Sequence, residues 1–74
     1  MEVDLVITRG RKTWGVEVKS AAMVTPADGN GLRRLAQQCG DDFQAGMIMY
    51  AGPSTLPTAD RRILAVPLSE LWTR

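Results

Sequence analysis

The chain has 74 residues, with nine Lys and Arg against eight Asp and Glu, no His, a single Cys and 45% apolar residues. Its net charge of +1 excludes the blanket basic field that draws a whole chain onto nucleic acid or anionic lipid. Without His and with only Cys39, it cannot supply a zinc-finger ligand set, a Ser-His-Asp triad, a Cys-His pair or an internal disulfide.

The first elements are strands. Val3 to Thr8 and Thr13 to Lys19 alternate and are rich in β-branched residues, and Arg9-Gly10-Arg11-Lys12 between them has turn chemistry. A two-residue loop at Gly10 and Arg11 gives the glycine its place in a type II′ turn and pairs residues whose numbers sum to 21. One face then carries Val3, Leu5, Ile7, Trp14, Val16 and Val18. The other carries Glu2, Asp4, Val6 and Thr8 beside Thr13, Gly15, Glu17 and Lys19.

Thr25-Pro26-Ala27-Asp28 opens a helix. Thr25 is the N-cap, Pro26 takes the first helical position, and Asp28 completes a capping-box pattern. Leu32, Leu35, Ala36 and Cys39 recur at helical spacing until Gly40 stops the helix, while Arg33, Arg34, Gln37 and Gln38 form a solvated face. Ala45 to Ala51 is apolar throughout and reads as a central strand covered on both faces, with Met47 and Met49 as core filling. Arg61 to Val66 is a fourth strand, which Pro67 assigns to an edge that Arg61 and Arg62 would blunt. Ser69 to Trp72 adds a helical turn, with Trp72 covering a sheet end or a partner.

The helix then joins two parallel strands as a crossover. The class is α/β, bordering on α+β: a mixed four-stranded sheet in the order β-β-α-β-β, forming one domain over residues 1–74. A domain this short buries only about 60% of the surface its unfolded chain exposes. Missing partners are therefore expected, either a second copy in a homodimer or the rest of a longer protein, since the strand-like run already starts at Val3. With no signal peptide and no long apolar span, a cytoplasmic location without a membrane partner is expected.

Asp4 falls opposite Glu17 in this register, and Glu2 opposite Lys19. Directly opposed carboxylates repel, with Cβ atoms about 4.5 to 5.5 Å apart. A hard divalent cation such as magnesium relieves that repulsion, because two carboxylates, waters and a substrate phosphate suit its octahedral shell. Lys19, one step of the alternation beyond Glu17, would neutralise the pair or hold a water or phosphate oxygen beside the metal. Phosphodiester hydrolysis needs this set of groups. Glu2, near the terminus, reads as solvated, and Cys39 as a small core residue.

Asp4, then Glu17-Val18-Lys19 on the next strand, a helix and an apolar strand resemble the core of the PD-(D/E)XK nuclease-like superfamily. More narrowly, EVDLVI, GVEVKSA, TPADGNGLRRLA and RILAVPLSELWTR resemble the domain of unknown function at the C-terminus of archaeal-type AAA+ ATPases. The resemblance implies a truncated restriction-endonuclease-like core. It also implies a magnesium site on Asp4, Glu17 and the Val18 carbonyl, and Lys19 assisting the attacking water, with Asp4, Glu17 and Lys19 as the catalytic set. Nucleic acid would be the substrate. The chain has no Gly-rich Lys-Ser or Lys-Thr loop, so ATP hydrolysis would belong to a parent ATPase. A non-catalytic assembly or partner-recognition domain of an ATP-binding protein is the competing expectation.

Overall fold

The computed structural model describes residues 3–71. Glu2 and Trp72 lie outside the described residues. β1 (Leu5–Arg9) and β2 (Lys12–Val18) form an antiparallel hairpin paired Leu5 to Val16, Ile7 to Trp14 and Arg9 to Lys12, the register that the alternation and Gly10 dictate. Gly10 has a φ of 61°, the positive value that a type II′ turn requires at its first central position, and no non-glycine residue among the described residues has a positive φ.

A 3-10 turn over Pro26–Gly29 leads into α1 (Asn30–Cys39), which ends at Gly40. The short first turn takes in Gly29, a poor helix former, while Gly31 is the second residue of α1. The chain returns along β3 (Phe43–Tyr50), parallel to β2, so α1 is the crossover that parallel strands need. β4 (Leu56–Pro57) and β5 (Ile63–Pro67) complete the sheet, and a 3-10 turn follows over Leu68–Leu71.

The fold is a mixed α+β arrangement of five strands in the order β1-β2-β3-β5-β4 with one α-helix among the described residues. Five strands replace the expected four because the Leu56–Pro57 segment pairs antiparallel with β5. β5 is thus not an edge strand. Pro67 lies beyond the two residues that β4 covers, so its missing N–H removes no bond on that side.

α1 packs on the face carrying Thr13, Gly15 and Glu17. A Cβ at Gly15 would lie 2.6 Å from Leu32 Cδ2 and 2.9 Å from Leu35 Cδ2. Gly15 is paired with Gly46, and together they form a flat floor that lets the helix approach the sheet. The core on this side comprises Leu32, Leu35, Ala36, Phe43, Ile48, Tyr50, Ile63 and Ala65. A register shift in the β2–β3 ladder pairs Thr13 with Phe43 and Trp14 with Ala45, leaving Gln44 as the extra residue. Phe43 is thereby turned into the core.

The opposite face is largely bare. Its rows across the sheet are Ile7–Trp14–Ala45, Leu5–Val16–Met47–Leu64 and Val18–Met49–Val66. Leu5 is 53% exposed, Ile7 47% and Val18 53%. β3 is therefore not covered on both faces: Met49 is buried, but Met47 is exposed. Val3 also departs from the expected face. It precedes the ladder and packs against the helix-side core, where the strand's alternation no longer constrains it. No helix among the described residues is long and apolar enough to cross a membrane.

Candidate functional site

The functional candidates gather at the end of the hairpin away from Gly10, where the carboxyl end of β2 meets the start of the helical segment. In sheets with parallel strands and crossover helices, this end collects ligands because side chains and loops converge there. A cavity of about 770 Å³ opens at this point. Asp4, Glu17, Val18 and Lys19 line it from the hairpin side, and Ala27, Asp28, Asn30, Gly31 and Arg34 from the helical side.

Asp4 is held by a backbone group. The ladder stops at Leu5, and the N–H of Val18 donates to Asp4 Oδ2 at 2.6 Å. A side-chain carboxylate thus takes over where the strand pairing ends and fixes Asp4 across from the Glu17-Val18-Lys19 segment. Such a charge-assisted bond is stronger than a neutral one and leaves the second carboxylate oxygen available to another partner. Glu17 is half-buried, one residue before Val18 on β2.

Lys19 continues the parallel pairing just past β2, its N–H donating to the Met49 carbonyl at 2.7 Å. Its Nζ pairs with Asp28 Oδ2. The same Asp28 oxygen accepts from the Thr25 N–H at 2.5 Å and from Thr25 Oγ1 at 3.1 Å. Hydrogen bonding from Lys19, and then from the Thr25 backbone, holds the Asp28 carboxyl below its ordinary pKa. Asp28 therefore stays ionised and serves both the start of the helical segment and the lysine.

Sequence reasoning assigned Asp28 to capping alone and missed its contact with Lys19. Arg34 is exposed, as the solvated face predicts, and it also lines the cavity. Ala27 lies in the 3-10 turn and Gly31 and Arg34 in α1, so which of them face the cavity depends on how the helical segment docks. Arg33 behaves differently from its neighbour. Its guanidinium donates to the Pro26 carbonyl at 2.6 Å and to Asn30 Oδ1.

The donor chemistry suits a hard cation. Among the described residues no group of three or more Asp, Glu, Cys or His is placed to hold a metal, so a site here would rest on the two carboxylates of Asp4 and Glu17 with oxygen from the adjacent backbone. Magnesium fits such a set, since it commonly keeps several waters and takes only one or two protein carboxylates along with substrate phosphate. Zinc, which favours His and Cys ligands, does not fit.

Comparison with family models gives a match to Domain of unknown function (DUF4143) over residues 1–71, nearly the whole chain. The chain belongs to the DUF4143 family. Comparisons with curated proteins and with solved structures find no match.

Proposed function

We propose that this DUF4143 domain is a nuclease-like module of the PD-(D/E)XK type, with a magnesium-dependent site for phosphodiester hydrolysis. It would serve as the nucleic-acid-acting part of an ATPase-associated protein. The observation that carries the reading is the convergence of Asp4, Glu17, Val18 and Lys19 on one open cavity, with Asp4 oriented by the Val18 N–H.

Asp4 and Glu17 would hold the cation, with the Val18 carbonyl as a further oxygen ligand. Bound magnesium supplies a Lewis acid that lowers the pKa of water and offsets charge developing at phosphorus. The Val18 N–H keeps the Asp4 carboxylate in place, so little reorganisation accompanies binding. Lys19, tethered by Asp28, has further ammonium donors with which to orient the attacking water. In the reaction, one P–O bond would form to the water oxygen and one P–O bond to a sugar oxygen would break. The water proton reaches the leaving oxygen through solvent, and the products are a phosphomonoester and an alcohol.

Titration of the chain with magnesium, followed through the backbone amide signals of Asp4 and Glu17, tests the site. Shifts at millimolar metal that disappear in Asp4→Asn are expected, with loss of plasmid cleavage in Lys19→Ala. Unmoved signals would overturn the reading.

The bare apolar face favours a second reading, a non-catalytic assembly domain that pairs through this face with another copy of the chain. Leu5, Val16, Met47 and Leu64 form an apolar row across four strands with no element over them among the described residues. A chain that sediments as a folded monomer at micromolar concentration argues against homodimerisation.

A further inference from the structure

The two edges of the sheet are finished differently. β4 closes one side with two residues, Leu56–Pro57, and a strand that short with a proline in it offers a neighbour little to pair with. β1 closes the other with five residues, Leu5–Arg9, which include no proline or glycine, carry a charge only at the last position and are all exposed. Val6 is 45% exposed although it shares the face on which α1 packs, so the helix does not cover this strand. We infer that the open edge of β1 is a strand-pairing surface and that its occupant is β1 of a second copy, set antiparallel about Ile7. The inference is independent of the cation site and uses a different surface from the bare apolar face.

The direction of the backbone groups follows from β2. The Val18 N–H reaches toward β1, to Asp4 Oδ2, and the Lys19 N–H toward β3, to the Met49 carbonyl. By alternation, Val16, Trp14 and Lys12 exchange hydrogen bonds with Leu5, Ile7 and Arg9. The N–H and C=O groups of Val6 and Thr8 therefore point out of the sheet, and no strand among the described residues lies beyond β1 to take them. A second β1 running antiparallel, with Ile7 opposite Ile7, pairs the whole strand and sets Val6 of each copy against Thr8 of the other. Each outward N–H then meets an outward carbonyl in an isologous contact. Charge favours the antiparallel sense. Arg9 and Arg11, at the hairpin tip, have no side-chain hydrogen bond or ion pair among the described residues. Antiparallel pairing lays this cationic tip at the Asp4 end of the other β1, whereas parallel pairing would set Arg9 beside Arg9.

Amide hydrogen exchange of the full chain, read residue by residue at low micromolar and at millimolar concentration, tests the inference. The Leu5, Ile7 and Arg9 amides should be protected at both concentrations, and those of Val6 and Thr8 only at the higher one. Val6→Pro deletes an outward N–H that the hairpin does not use, and should weaken self-association, measured by sedimentation, about tenfold. Val6→Thr keeps that N–H and should associate like the wild type. Oxidation checks the register in a Cys39→Ala background. Ile7→Cys should form a disulfide between copies, because residues opposed in a non-hydrogen-bonded pair have Cα atoms about 4.5 Å apart, and Leu5→Cys should not. The exchange and disulfide readouts keep every amide in place and decide the matter even where Val6→Pro unfolds. Val6 and Thr8 amides that exchange freely at millimolar concentration overturn the inference. So does self-association that leaves those two amides unprotected, which would place the contact elsewhere, the bare apolar face included.

Discussion

On the helix side of the sheet, β2 contributes Thr13, Gly15 and Glu17, a set with little apolar side chain, and this is the side that is buried. On the other side the same strand contributes Trp14, Val16 and Val18, flanked by Leu5, Ile7 and Met47, and that side is largely exposed. Space explains the inversion. A helix settles where its own Leu32 and Leu35 can approach the backbone, and the Gly15–Gly46 floor offers that room. The apolar face presents side chains that need a partner surface of their own, while the helix-covered face spends its limited burial on holding α1 over the cavity.

The comparison breaks most sharply with one truncation made on each side. Leu32 is fully buried, and Leu32→Ala should destabilise the fold by about 2 to 5 kcal/mol, measured by urea unfolding. A smaller cost would mean that the helix is loosely docked.

The clasp between Asp28 and Lys19 sharpens the comparison at intermediate size. Asp28→Asn should cost on the order of 0.5 to 1 kcal/mol at neutral pH, as expected for a partly exposed pair. Because Asp28 is held below its ordinary pKa in the folded chain, its contribution is present above the unfolded carboxylate value and is lost as pH falls through the folded one. Wild type and Asp28→Asn should therefore converge in acid. Parallel unfolding curves from pH 7 down to pH 3 check the sign.

The smallest effect is expected on the bare side, at Leu5, which is 53% exposed. Leu5→Ala should change the stability of an isolated chain by no more than about 0.5 kcal/mol. A larger, concentration-dependent loss would show that a second copy covers this face in solution.

Much of the local structure was legible in the sequence, because it rests on short-range rules. Strict alternation and Gly10 set the hairpin register, and Thr25, Asp28 and Gly40 bounded the helical segment. The parallel pairing of β2 with β3 followed from the helix between them. β4 was not legible, since two residues display no period and Leu56–Pro57 is a strand only through its pairing with β5. The exposure of Met47 was hidden for a related reason: an apolar run shows that a strand is central but not how many of its faces are covered. In the candidate site, the gathering of Asp4, Glu17 and Lys19 at one end of the hairpin follows from its register, although the ladder stops at Leu5 and Asp4 meets the Val18 N–H instead of continuing it. The contributions of Asp28 and Arg34 depend on how the helix docks, which no local pattern encodes.

The Lys19–Asp28 pair links the end of β2 to the first turn of the helical segment and closes residues 19–28 into a ring. A covalent staple at that place would be indifferent to the surrounding solution. An ionic one is not, because dissolved ions weaken it as their concentration rises. Salt therefore loosens this ring by degrees: the fastening of the lysine to the helical segment is firmer in dilute buffer than in brine, and the partial burial of the pair limits the change.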